Sequence, residues 1–224
     1  LCYFKKANQT LKEHEVSYVN LAFAYASLAQ WDNSLQVAEK GLAKFPSSQG
    51  LIKATASAHY HKKDYAAVEI AYEKLYKANP NDIDIAIAYG ELLMGNQKFQ
   101  QASELYNQLL KKYPKKQKIY ESLITSYEAR LNYEGKVGIL RQMLLHFDQS
   151  TIYQRIAATY EQIEKWHMAS NYYDTLLSLY PANEFAIKQK LANVYVQQDS
   201  LEKAIASYKE LHNQQPENVE VLEE

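Results

Sequence analysis

Regular proline spacing is the feature that most constrains what this chain can fold into. Pro46, Pro80 and Pro114 lie 34 residues apart, and Pro181 and Pro216 lie 35 apart; 67 residues separate Pro114 from Pro181, which is two units with one residue missing. Proline cannot continue the interior of a helix, so a recurring proline marks the end of a recurring helical unit. The spacing therefore predicts an array of repeats, each contacting only its neighbours, rather than one globular core.

The segment 83–116 shows what one unit contains. Apolar and small residues recur there at helical spacing in two stretches, and a polar break over 96–98 separates the stretches. The two stripes are Ala86, Tyr89, Gly90 and Leu93, then Ala102, Leu105, Tyr106 and Leu109. Pro114 ends the second stretch. Each unit is therefore predicted to be a hairpin of two helices.

The units share residue types at fixed positions when they are aligned on the prolines. Position 8 is small in most units: Ala22, Ala56, Gly90, Ile124, Ala157 and Ala192. Position 17, where the second helix begins, is aromatic in all units except the last: Trp31, Tyr65, Phe99, Tyr133, Trp166 and Leu201. This pattern resembles the tetratricopeptide repeat family, whose unit of about 34 residues ends near a proline. The resemblance implies an all-α, right-handed superhelical solenoid of antiparallel helix hairpins, with about six full repeats and partial repeats at both ends.

The resemblance also fixes the expected repeat boundaries. It places the repeats at 15–48, 49–82, 83–116, 117–149, 150–184 and 185–218. Residues 1–14 are expected to end a preceding repeat and residues 219–224 to begin a further one, so we expect the chain to be a piece of a longer protein. The fourth repeat departs most from the family pattern, because Lys136 replaces a small residue at position 20 and Asp148 replaces the proline.

Catalytic and nucleotide-binding motifs are absent from the sequence. It contains no glycine-rich phosphate loop, no His-Glu-x-x-His zinc helix and no Gly-x-Ser-x-Gly nucleophile elbow. The close pair His59 and His61 is poorly placed to share a metal, because residues two apart on a helix face different directions. We therefore predict that the protein is not an enzyme and has no catalytic residue, cofactor or metal.

Charge and composition narrow the classes of partner. The net charge of −1, from 25 basic and 26 acidic residues, argues against nucleic acid, which requires a concentrated positive surface. No apolar run approaches the roughly 18 to 20 residues that cross a bilayer, so no membrane span is predicted in this fragment. Three arginines against 22 lysines, with abundant Asn and Gln, are typical of an AT-rich bacterial genome. We expect a soluble fragment, cytoplasmic or periplasmic in a bacterium; the compartment and the oligomeric state stay open.

The remaining surface is predicted to bind a protein or peptide partner. In the resemblance, positions 2, 5, 6, 9, 12 and 13 of each repeat line a concave groove. Those positions are mixed apolar and aromatic in the first half of the chain but polar and charged in the second half, and an apolar groove suits an extended or helical peptide. The predicted groove residues are Val19, Phe23, Lys53, Tyr60, His61, Ile87, Glu91 and Met94.

Two alternatives stay open at this point. The apolar groove could instead be covered intramolecularly by preceding repeats or a terminal helix. The whole chain could also be a structural arm of a larger enzyme or of a bacterial envelope or secretion assembly, with the activity outside this fragment. One subtype of the family is disfavoured: neither register of the repeats supplies the residues with which chaperone-tail-binding members hold a terminal carboxylate.

Overall fold

A computed structural model describes residues 14–181 and 184–214, and every regular element in those ranges is an α-helix. The chain divides into two compact units, residues 1–112 and residues 113–224. The described part is an all-α helical-repeat solenoid, as the sequence predicts. The expected partial repeats at 1–14 and 219–224 lie outside the described residues, except for His14. None of the helices within the described ranges is both long enough and apolar enough to span a membrane.

Each unit contains helices that alternate with short turns. The helices of the first unit are α1 (Glu15–Ser27), α2 (Trp31–Leu42), α3 (Gln49–His61), α4 (Tyr65–Ala78), α5 (Ile83–Gly95) and α6 (Phe99–Lys112). The helices of the second unit are α7 (Gln117–Ala129), α8 (Tyr133–Met143), α9 (Gln149–Gln162), α10 (Trp166–Leu179), α11 (Glu184–Gln197) and α12 (Leu201–Gln214). Consecutive helices pack against each other in both units.

The same turn joins the two helices of each hairpin. One non-glycine residue in each turn has a positive φ between 54° and 61°. In the third such turn, Gln97 adopts this left-handed conformation and the Lys98 amide donates to the Leu93 carbonyl over 2.8 Å, which satisfies a carbonyl at the helix end. The six positive-φ residues are Ala29, Lys63, Gln97, Leu131, Glu164 and Asp199.

The two unusual residues of the fourth predicted repeat are accommodated locally. Asp148 caps α9, because its carboxylate accepts a hydrogen bond from the Thr151 amide at 3.3 Å. Lys136 is nearly buried on α8, and its Nζ lies 2.7 Å from Glu128 Oε1 on α7. The loss of the proline is therefore offset by a cap, and the buried lysine is offset by an ion pair.

Tyrosine rings fill the space between helices. Tyr106 and Tyr173 are fully buried, and Tyr106 packs directly over Gly90 of α5. A Cβ atom at Gly90 would lie 2.5 Å from Tyr106 Cζ, so only glycine fits there without movement of the ring. Packing of this kind explains many of the 20 tyrosines without any tyrosine-specific chemistry.

Candidate functional site: a pocket between α3, α4 and α5

A cavity of about 610 Å³ opens between α3, α4 and α5 in the first unit. Its lining is mostly aromatic, aliphatic or small. The lining residues are Lys53, Ala56, Ser57, Tyr60, Tyr65, Val68, Tyr72, Ala88, Glu91, Leu92, Gly95 and Asn96. Its volume lies within the range of roughly 300 to 1,000 Å³ that is typical of ligand pockets.

The walls from α3 and α4 follow from helical spacing. Lys53, Ser57 and Tyr60 stand four and three residues apart, which places them along one face of α3. Tyr65, at the start of α4, meets Tyr60 edge to face, with ring centroids 5.9 Å apart and planes at 74°. The two tyrosines remain 56% and 47% exposed. Two aromatic rings are therefore held in a defined geometry at one end of the pocket but stay open to solvent.

The wall from α5 ends in a gap at Gly95. No atom beyond its own local backbone lies within 4 Å of the position that a Cβ at Gly95 would occupy. The next residue, Asn96, is held in place because its Nδ2 donates to Glu69 Oε2 over 2.7 Å, while Lys98 Nζ donates to Glu69 Oε1 over 2.6 Å. Burial acts to raise the pKa of Glu69, but the two hydrogen bonds and the charge of Lys98 together outweigh it and leave the pKa below its usual range. The Asn96 side chain is therefore held by a hydrogen bond, whereas the space beside Gly95 is open.

Further rings continue from the aromatic end of the pocket. Tyr60 meets His61 edge to face at 5.7 Å, and His61 stacks on Trp31 of α2 with centroids 3.8 Å apart and planes only 8° apart. A row of four aromatic rings thus runs from Tyr65 through Tyr60 and His61 to Trp31. This row presents a stacking surface next to the pocket.

Comparison with known proteins identifies the repeat. Residues 59–127, which include most of the pocket lining, match the sequence model of the tetratricopeptide repeat. The matched segment therefore consists of tetratricopeptide repeats, which agrees with the resemblance that the sequence predicts. The sequence matches none of the curated proteins with which it was compared.

Several solved structures share the fold of this chain. A structure of Naa15/Naa10 bound to HypK-THB superposes with a TM-score of 0.76 at 14% identity, over 97% of this chain and 34% of that chain, so this chain spans about a third of its length. YrrB, a tetratricopeptide repeat protein with an unusual peptide-binding site, gives 0.56 at 16% identity, over 84% of this chain and 97% of that chain. The C-terminal part of a repeat-containing protein from Cytophaga hutchinsonii gives 0.61 at 16%, over 99% and 91%. At these identities the likeness concerns the fold.

The pocket contains three of the eight predicted groove residues, namely Lys53, Tyr60 and Glu91. His61 lies beside the pocket, stacked on Trp31. Phe23 is 43% exposed but is not part of the lining.

The other three predicted residues are partly or fully covered within the first unit. Ile87 is buried, Met94 is half-buried, and Val19 packs against the core around Tyr18 and Ala22. They therefore present less side-chain surface than a groove prediction requires.

The pocket also contains residues that the groove prediction omitted. Tyr65, Val68 and Tyr72 come from the second helix of a hairpin, whereas the prediction considered only first helices. Gly95 was omitted although it stands at position 13, which the family pattern assigns to the groove. The aromatic residue at position 17 and the glycine at position 13 of the next repeat were the available signals.

The hairpin before the pocket shows what a side chain at position 13 does. In the predicted register Trp31 and Tyr65 share position 17, while His61 and Gly95 share position 13 of the following repeat. The His61 ring covers Trp31, and Gly95 has no side chain with which to cover Tyr65. The missing side chain therefore accounts for the open space over Tyr65.

A second cavity of the first unit has several lining charges that are already paired. A cavity of about 490 Å³ between α4, α5 and α6 contains three glutamates, of which Glu69 is paired with Lys98 and Glu73 lies 2.6 Å from Lys77 Nζ. Throughout the described ranges, no group of three or more His, Cys, Asp or Glu side chains is arranged to hold a metal ion. The pocket between α3, α4 and α5 is therefore the best candidate for a functional site.

Proposed function

We propose that this protein is a non-enzymatic protein-interaction module that binds a partner peptide in the pocket between α3, α4 and α5. Tetratricopeptide repeats generally serve as protein-protein interaction scaffolds, and this pocket supports that role at defined residues. The observation that carries the proposal is the gap at Gly95, beside two exposed tyrosine rings in fixed geometry.

Apolar surface that stays in contact with water raises the free energy of the protein. Burial of apolar surface contributes about 25 cal/mol per Å², so an apolar pocket that is open to solvent favours an occupant that fills it. The occupant gains most where the walls are already rigid, because little conformational entropy is then lost on binding. In this pocket the Tyr60 and Tyr65 rings contact each other and the Asn96 side chain is hydrogen-bonded to Glu69, and both contacts restrict these groups before a ligand binds. Tyrosine is also enriched among the residues that dominate binding energy at interfaces.

A single substitution tests the proposal without removing any existing contact. Gly95→Gln adds a side chain where nothing lies within 4 Å, and the backbone there is helical, so the variant is expected to fold. Gly138→Gln is the matched control, because Gly138 lies on α8 of the second unit and also has open space around its Cβ position. A library of random dodecapeptides displayed on phage would be selected on the wild-type protein, and the enriched peptides would be measured against all three proteins.

We expect the enriched peptides to lose at least tenfold in affinity, or about 1.4 kcal/mol, for Gly95→Gln and to be unaffected by Gly138→Gln. Equal affinity for Gly95→Gln and wild type would move the binding surface away from this pocket. If no peptide is enriched on the wild-type protein, the result favours the structural-arm alternative. Thermal unfolding followed by circular dichroism would check that both variants keep the wild-type fold.

A further inference from the structure

Lys53 is the uncommitted charged group of the pocket. Its ammonium forms no hydrogen bond or ion pair with any residue in the described part of the chain, whereas Glu91 already has an interaction partner. Lys53 is solvent-exposed and stands at the opposite end of the α3 wall from Tyr60. A ligand that enters the pocket therefore meets a free cation at one end and aromatic rings at the other.

The aromatic end has a template elsewhere in the same unit. His61 stacks in parallel on Trp31 at 3.8 Å, and the corresponding place over Tyr65 is left open by Gly95. A planar ring supplied by a partner can take that place, and it can pair with the neighbouring Tyr60 as well. The vacancy thus fits an aromatic side chain better than an aliphatic one.

We propose that the pocket recognises an acidic-aromatic peptide motif, in which an aromatic side chain stacks on Tyr65 over Gly95 and a side-chain carboxylate pairs with Lys53. This inference rests on the proposed function. Lys53 and Tyr60 are seven residues apart on α3, or about 10 Å at a rise of 1.5 Å per residue. An extended chain covers that distance in about three residues. Tyr65 lies beside Tyr60, with ring centroids 5.9 Å apart, so the same span approximates the distance from Lys53 to the aromatic end. The proposed motif is therefore an extended segment with the acidic residue about three positions from the aromatic one.

Defined peptides test both halves of the motif. The probes are fluorescein-labelled, C-terminally amidated nonapeptides of Gly and Ser that carry one Phe and one Glu, separated by one to four positions in either order. Amidation removes the terminal carboxylate, and the fluorescein label is the same in every probe, so differences between probes report on the Glu and Phe side chains. Binding is followed by fluorescence anisotropy at low salt and at 1 M salt. We expect Glu at three positions from Phe to bind about two- to fivefold tighter than Gln there, with the difference lost at high salt.

Substitutions in the protein test which residue causes the charge preference and which causes the aromatic preference. Lys53→Glu is expected to reverse the charge preference, so that Lys in the peptide binds better than Glu, whereas Lys190→Glu, at an exposed mid-helix lysine of α11, leaves it unchanged. Phe is expected to bind about two- to tenfold tighter than cyclohexylalanine, which matches its bulk without an aromatic ring. Tyr65→Leu removes that preference, and Tyr133→Leu, at the same register position in the second unit, does not.

The outcomes separate the two proposals. Peptides that bind in a Gly95→Gln-sensitive manner but lack either preference would overturn the motif and leave the peptide-binding function standing. A charge preference that survives Lys53→Glu would overturn the assignment to Lys53. If no peptide binds the wild-type protein, or if Gly95→Gln binds all of them equally well, both proposals fail.

Discussion

The pocket in the first unit is open, whereas side chains at the same repeat positions cross the equivalent space in the second unit. We call this equivalent space the closed counterpart. In the predicted register Lys53 and Ala88 of the pocket correspond to Glu121 and Arg155. Lys53 and Ala88 leave the space between α3 and α5 open. Arg155 on α9 instead donates two hydrogen bonds to Glu121 on α7, at 2.8 and 2.7 Å, and so crosses the corresponding space.

Two further contacts close the counterpart. Gln162, which corresponds to Gly95, donates to the Tyr133 hydroxyl over 3.0 Å. Lys136, which corresponds to Val68, pairs with Glu128. The open pocket is thus defined by missing side chains as much as by present ones.

The largest expected effect concerns Lys136, the nearly buried lysine of the closed counterpart. Glu128→Ala should lower the free energy of unfolding by about 2 kcal/mol, because it leaves the Lys136 ammonium, 11% exposed, without its partner. The value is discounted from a fully buried pair because Glu128 itself is 45% exposed. Urea unfolding followed by circular dichroism would measure it. Adding Lys136→Met to Glu128→Ala should restore most of the loss; an unstable double variant would instead indicate that Glu128 matters for packing.

The second prediction transfers the closure into the open pocket. The double substitution Lys53→Glu with Ala88→Arg imitates the Glu121–Arg155 pair and should reduce affinity for a pocket-binding peptide at least tenfold, or about 1.4 kcal/mol. Isothermal titration with a peptide selected on the wild-type protein would measure this loss. The thermal midpoint should stay near the wild-type value, since the new pair lies on an existing surface. If a folded double variant keeps the wild-type affinity, the introduced Glu–Arg pair does not close the pocket.

The sequence was sufficient for the fold but only partly for the site. Proline spacing and the aromatic residues at position 17 predicted helix hairpins that resemble the tetratricopeptide repeat. The all-α fold is confirmed, and residues 59–127 match the sequence model of that repeat. The groove residues stay a prediction, of which the pocket contains three. Side-chain exposure depends on what the neighbouring helices cover, and position in the repeat cannot supply that. Ile87 holds a groove position, yet it is buried by its surroundings.

Gly95 lines the pocket but could not be predicted from its residue type. A search for binding residues looks for side chains that can make contact, so a residue without one is passed over. The open space beside Gly95 is recognised only when Tyr65 is compared with Trp31, whose ring is covered by His61. That comparison needs the ring geometry, which the repeat register alone does not provide.

A third prediction contrasts two glycines of α5. Gly95→Ala should raise the free energy of unfolding by about 0.5 kcal/mol, because alanine restricts the unfolded chain and its Cβ meets open space. Gly90→Ala is the matched variant on the same helix and should be destabilising, since its Cβ would lie 2.5 Å from the fully buried Tyr106 ring. Thermal unfolding of both variants would measure the opposite signs. A loss of stability in Gly95→Ala would mean that the space at this glycine is occupied in solution.

The smallest expected effect concerns the pH dependence of the ion pair that closes the counterpart. The hydrogen bonds from Arg155 lower the pKa of the Glu121 carboxyl, and burial only partly opposes them. The stability gained from this lowered pKa is present above the unfolded-state pKa of about 4.3 and is lost as the pH falls through the folded-state value. Glu121→Gln should therefore cost about 0.3 kcal/mol near pH 7, a small value because both side chains are partly exposed, and almost nothing at pH 2.5. Urea unfolding across this range would measure the difference, with Arg155→Gln as the background in which Glu121→Gln should have no pH-dependent effect. A cost that persists at pH 2.5 would show that Glu121 stabilises the closed counterpart through packing and not through its charge.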